Sequence, residues 1–148
     1  MKKLLPVILI ALFSCKKNEV PKDPDEIHYK ETVVLNDVPR ATLTLENVYD
    51  GRCPKGVNCF MAGSASVDLL LKGFTTQGEI SKIVKMDLGG NVIISETPPK
   101  YVKVDTIAQN FAGIDYYFIL KNIKPSNPEL GDSQNKEKYS IILKIIKK

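Results

Sequence analysis

The sequence predicts an all-β fold: an antiparallel β-sandwich, immunoglobulin-like in outline, of about seven to nine strands with one short disulfide-closed loop. Three observations carry that expectation. Apolar and polar residues alternate with period two in several short runs. Turn formers punctuate those runs. No window of about a dozen residues shows helical spacing with caps at both ends.

The strands are expected in order. The domain begins at Ile27, and residues 29–35 give its first strand. Residues 41–46 alternate Ala41, Leu43 and Leu45 with Thr42, Thr44 and Glu46, which half-buries a strand with one wet face. Residues 65–71 repeat the pattern with Ala65, Val67 and Leu69. Residues 79–88, 91–95 and 101–107 are further strands. Residues 114–120 and 139–145 are longer and richer. Their second faces carry Tyr117, Ile119, Ile142 and Ile146, which marks central strands or strands with a covered outer face. The turns are placed at Asn36-Asp37, Lys72-Gly73, Gly89-Gly90-Asn91, Pro98-Pro99 and Gly131-Asp132. Gly89-Gly90 between two apolar runs predicts a tight hairpin. Residues 106–112 are the best place for one short turn of helix.

Of the 148 residues 43% are apolar and 26% charged, a globular balance. The length is that of one domain. Lys2 and Lys3 fall in a segment expected to be removed, which leaves 19 basic against 17 acidic residues. So mild a charge gives no footprint for nucleic acid. Lys144, Lys147 and Lys148 read as a solvated strand end.

Residues 1–14 read as an export address. Lys2 and Lys3 open it, residues 4–13 are uncharged and almost wholly apolar, and Ser14-Cys15 is followed by charge. The run is shorter than the about 20 residues a membrane span needs. Leu12-Phe13-Ser14-Cys15 resembles a bacterial lipobox, with an aliphatic residue three before the cysteine and a small one just before it. The resemblance implies a diacylglyceryl thioether on Cys15, cleavage before it, and acylation of the new amine. Several acyl chains hold stably where one binds reversibly. The other reading is an ordinary secretory signal with an incidental cysteine. Cys15-Lys16-Lys17-Asn18-Glu19 also resembles the start of Bacteroidetes lipoproteins, some of which are routed to the cell surface. Residues 15–26, polar and carrying Pro21 and Pro24, are expected to be a flexible tether to a domain spanning 27–148.

Residues 50–63 are the most distinctive stretch of the mature chain. With Cys15 lipidated, Cys53 and Cys59 remain, with five residues between them, in an exported protein. A disulfide is expected, with roughly 2–3 kcal/mol of loop-closure stabilisation. Zinc would want more ligands than two thiolates, and the only histidine is His28. Redox catalysis would want a closer pair. The loop resembles a recurring pattern in bacterial envelope proteins, Asp-x-Arg-Cys-Pro followed by a second Cys and a Gly before an alternating strand. Asp50, Arg52, Cys53, Pro54, Cys59, Ala62 and Gly63 carry the match, and Met61 stands where those proteins commonly have Trp. The resemblance covers roughly residues 43–146 and implies fold and loop architecture, with no activity. Asp50, Arg52, Pro54 and Gly63 are assigned a loop-stabilising or binding role. Asp50 and Arg52 are expected to pair with each other or with loop backbone; an exposed pair would stabilise by only ~0–1 kcal/mol.

No nucleophile elbow, zinc-protease helix, P-loop or dinucleotide fingerprint occurs. No catalytic residue, metal ligand or cofactor is assigned. Glu129 and Asp132 sit in a polar loop, 127–132, without calcium-loop spacing, and are read as solvated. The function expected is that of a non-enzymatic binding or interaction module on the cell envelope. It is expected to be lipid-anchored, on the periplasmic face of the outer membrane or at the cell surface, with a protein or glycan partner. An inhibitor or immunity protein that uses the 50–63 loop is the alternative, and a carboxylate-based hydrolase ranks lowest.

Overall fold

Alternation along the chain becomes two facing sheets. A computed structural model describes residues 23–89, 92–93, 100–101 and 105–148. The expected signal segment, Cys15, the tether up to Lys22, and the turn residues Gly90, Asn91, Pro98 and Pro99 lie outside the described residues. The strands among the described residues are β1 (Glu26–His28), β2 (Thr32–Asn36), β3 (Ala41–Asp50), β4 (Ala65–Thr75), β5 (Gly78–Leu88), β6 (Val92–Ile93), β7 (Lys100–Tyr101), β8 (Asp105–Phe111), β9 (Ile114–Lys124) and β10 (Ser140–Lys147). One antiparallel sheet runs β2-β3-β4-β5 and the other β1-β10-β9-β8, while β6 and β7 form a separate ladder. Strands adjacent in sequence are adjacent in each sheet, so the sandwich is two meanders, with β1 added beside β10.

The core lies between the sheets. Leu43, Leu45, Val67, Leu69, Leu71 and Met86 face Tyr116, Phe118, Leu120, Ile141 and Leu143, all buried. Each such aliphatic or aromatic side chain stabilises by about 1.5–3 kcal/mol. Tyr116 and Phe118 stack with ring centroids 5.9 Å apart. Among the described residues the buried Tyr116 hydroxyl has no hydrogen-bond partner, and burial raises its pKa.

Apart from a register shift between Val34 and Asn36 where β2 meets β3, the period of two slips once within β3 and once within β9. In β3 the inward residues are Ala41, Leu43 and Leu45, then Val48, and the register with β4 shifts between Leu45 and Asn47. In β9 they are Tyr116, Phe118 and Leu120, then Ile123, with the matching shift opposite Ile142 and Leu143. Both slips are β-bulges. In each, an asparagine oxygen accepts from the next residue's N–H: Asn47 from Val48 at 3.1 Å and Asn122 from Ile123 at 2.8 Å. The β3 bulge has a consequence for the loop. It reverses the parity of the strand end, so that Asp50 points inward and Tyr49 outward.

Four expectations change. Of residues 106–112, all but Ala112 are strand, in β8, rather than a helical turn. Gln109, set between the inward Ile107 and Phe111, hides the alternation, and β9 supplies the full ladder opposite. Lys72-Gly73 lies inside β4; the chain turns at Thr76 and Gln77 instead. Gly73 marks a close approach, because a Cβ there would meet the Phe111 ring at 2.9 Å and the Arg40 carbonyl at 3.2 Å. The first expected strand divides: the chain bends at Tyr29-Lys30-Glu31 and passes from one sheet to the other. Tyr29 N–H still bonds to the Tyr139 carbonyl, and Lys30 N–H already to that of Leu45. The ordered domain starts before Ile27, because Glu26 pairs with Ile142 and the Asp25 carbonyl accepts from Leu143 N–H. The strands rich on both faces, β9 and β10, are the two inner strands of their sheet.

Candidate interaction surface at the stapled loop

Residues 51–64 join β3 to β4 at one end of the sandwich. At the same end residues 125–139 join β9 to β10. The bulge in β3 aims Asp50 into this end, where its side chain is 2% exposed. Arg52 folds back onto it. The Arg52 main-chain N–H and Nε both donate to Asp50 Oδ1, at 3.0 and 2.8 Å, and one terminal nitrogen donates to Oδ2 at 2.7 Å. The remaining donors cross to the other connection. They reach the carbonyls of Ile123 at 3.1 Å, Pro125 at 2.8 Å and Ser126 at 3.4 Å. All five guanidinium N–H groups are therefore used. Tyr139 Oη donates to Asp50 Oδ2 at 3.0 Å.

The pair is buried, not the exposed surface pair considered from the sequence. The connections at the ends of two sheets close over it, which no local pattern reveals. Burial pushes the Asp50 carboxyl up, but the hydrogen bonds and charge of Arg52, with the Tyr139 hydroxyl, outweigh it and hold it below the usual carboxylate range. Burial, then the Asp50 carboxylate, drives the Tyr139 hydroxyl far above the usual phenol range. With every donor and both carboxylate oxygens engaged, Asp50 and Arg52 form a knot that ties two loops together.

The rest of the loop hangs on that knot. Cys53 and Cys59 are joined by a disulfide, with Cα atoms 5.9 Å apart. Pro54 opens a turn whose carbonyl accepts from Val57 N–H, and Lys55 N–H bonds to the Pro128 carbonyl at 2.8 Å. Gly51 N–H bonds to Ser64 O, and Cys53 N–H to Ala62 O. Gly63 has φ +71, and a Cβ there would lie 1.9 Å from the Gly51 carbonyl oxygen, so only glycine fits.

This rigid frame presents apolar side chains to solvent. Phe60 is 103% exposed, Met61 75% and Val57 43%, while Leu130, on the neighbouring connection, is 81% exposed. Sequence reading did not single out Phe60 or Tyr139. The signal for Phe60 was available: an aromatic beside a loop cysteine has no strand face to bury it.

Elsewhere several acids are engaged. Asp132 is buried rather than solvated. It accepts from Glu129 N–H and Lys138 Nζ, at 2.8 and 2.9 Å, and these bonds hold its carboxyl below the usual range. A groove of about 440 Å³ beside β1 and β2 is lined by Asp23, Asp25, Glu26 and Glu31. Asp25 pairs with Lys121, and Glu26 with Lys124. The Lys124 and Ser140 hydrogen bonds keep Glu26 ionised below its ordinary range. Glu31 accepts from His28 N–H. Among the described residues no group of three or more His, Cys, Asp or Glu is placed to hold a metal, and no helix is long and apolar enough to cross a membrane. No protein-family model, no curated protein and no solved structure matches the chain.

Proposed function

We propose that the chain is a lipid-anchored, non-enzymatic binding module of the bacterial cell envelope, and that its working surface is the tip of the stapled loop. One observation carries the reading: Phe60 stands wholly in solvent on a loop fixed by the Cys53–Cys59 disulfide and by the Arg52 knot. An exposed aromatic costs solubility and contributes nothing to the core. Held rigid, it loses little entropy on binding, the property of an interface anchor. The disulfide supports residence in an oxidising compartment. The apolar run ending at Cys15 supports the anchor.

A photo-crosslinking amino acid at position 60, in cells that make the full chain, tests the reading. It is expected to give discrete adducts, with protein, glycan or lipid, that are absent when the probe stands at Phe74, an exposed ring near the opposite end of β4. No adduct at 60, or equal adducts at both positions, would refute it.

A further inference from the structure

The tip is convex and apolar, and it contains almost no charge. Residues 51–67 hold no Asp or Glu at all. Their two cations are Arg52, which is buried in the knot, and Lys55, which is exposed. Glu129, beside Leu130, and Glu137 are the exposed acids on the adjoining connection. A protein hot spot usually offers shape and hydrogen bonds to a specific groove. A knob of Phe60, Met61 and Val57 with one free ammonium instead matches the boundary between acyl chains and anionic headgroups.

The position of the anchor agrees. Seven residues separate Cys15 from Asp23, which at full extension span roughly 25 Å. The chain enters the sandwich where Asp25 bonds Leu143, three residues from the loop end of β10, or about 10 Å along the strand. A lead of that length exceeds the distance to the loop end, so the loop end of the sandwich can come to the bilayer.

We infer that the tip of the 50–63 loop inserts into the bilayer that holds the lipid anchor, with Phe60 and Met61 at the acyl boundary and Lys55 at the anionic headgroups. The inference rests on the anchored-module reading and names the tip's partner as lipid. A second contact fixes the orientation of the domain on the membrane. The rest of the sandwich then faces outward.

The chain contains no Trp, so Phe60→Trp places a single reporter at the tip and Phe74→Trp one at the far end. Each lipidated protein is reconstituted into vesicles of phosphatidylethanolamine and phosphatidylglycerol, with or without brominated acyl chains. The expected result is a blue-shifted Phe60→Trp emission, quenched about two-fold by bromine at an insertion depth of roughly 5–10 Å, with Phe74→Trp unshifted and unquenched. Three outcomes overturn the inference: water-like emission from Phe60→Trp on vesicles that float with the protein; equal quenching of the two reporters; or a blue shift without vesicles that grows with protein concentration, which indicates a second copy as occupant. Water-like emission in vesicles together with a protein adduct at position 60 in cells would leave the module reading standing and remove lipid as its partner. A protein that fails to float with vesicles removes the anchor and the inference together.

Discussion

At the scale of single residues, Arg52 has the most to lose. Its guanidinium is buried with every donor used, and Asp50 beneath it is buried as well. Arg52→Met leaves that carboxylate without its counter-charge and is expected to cost about 3–5 kcal/mol in denaturant unfolding. Arg52→Lys is expected to recover little of it, since an ammonium lacks the fork that spans Asp50 and three carbonyls. The pH dependence follows from the same pair. Asp50 has its pKa depressed in the folded state, so its contribution is complete above the unfolded carboxylate value of about 3.9 and is lost as pH falls below that. Urea midpoints measured from pH 6 down to 3 are expected to drop in the native chain and to fall less steeply in Asp50→Asn. Two buried tyrosines should respond with opposite signs. Tyr139→Phe removes a hydrogen bond to a carboxylate and is expected to cost about 1.5–3 kcal/mol. Tyr116→Phe removes a buried hydroxyl that has no partner among the described residues and is expected to be neutral or stabilising by roughly 1 kcal/mol. Equal destabilisation by both would contradict this account. The pairing of Asp50 with Arg52 was legible in their spacing. Its burial was not, because Tyr139 and the accepting carbonyls lie about seventy or more residues away in sequence.

At the scale of elements, the two bulges decide what faces the core. Deleting Glu46 would restore an unbroken period of two in β3. It would also keep Val48 and Asp50 on the inner face and Tyr49 outside, because removing the one unpaired residue turns the spacing of three between Leu45 and Val48 into two. That deletion is expected to keep the knot and to lower the thermal midpoint little more than Glu46→Ala, which keeps the bulge and loses only the exposed Lys30 contact. The disulfide acts on a smaller scale. Replacing Cys53 and Cys59 by Ser is expected to cost roughly 2–3 kcal/mol, while far-UV circular dichroism stays that of the native sandwich, because Arg52 still fastens the loop's root. The strand cores were readable wherever alternation was clean, as in residues 41–46 of β3 and 65–69 of β4. They were misread where a polar residue faced inward or a glycine sat within a strand, as at Gln109 and Gly73. In both cases the deciding partner, β9 or the Phe111 ring, comes from elsewhere in the sequence.

The whole molecule has an open flank. β1 covers β10 only from Ser140 to Ile142. A turn then closes, with Glu26 N–H on the Asp23 carbonyl and the Leu143 N–H on Asp25. Beyond it, among the described residues, β10 has no strand on that side, and its exposed side chains there include Lys144 and Lys147. Lysines on an edge discourage a second chain from adding to the sheet. The double change Lys144→Val and Lys147→Val is expected to give larger species than the native chain on size-exclusion chromatography; an unchanged elution volume would count against that role. The anchor is tested at this scale too, since palmitate labelling of the full chain is expected to vanish with Cys15→Ala. The class of fold and its antiparallel pairing were legible from alternation and turns. The meander order was not, because period two says which face a residue takes and nothing about which strand lies beside it.

The partners Arg52 chooses also bear on how this protein would vary among its descendants. Three of its acceptors are main-chain carbonyls, at Ile123, Pro125 and Ser126. A carbonyl is supplied by every amino acid, so drift in side chains along that connection leaves the knot intact. Among the described residues, only Asp50 and Tyr139 contribute side-chain atoms to it. In an alignment of diverged copies, Asp50, Arg52 and Tyr139 are therefore expected to change together or not at all, while the connection that Arg52 fastens varies freely in composition and little in path.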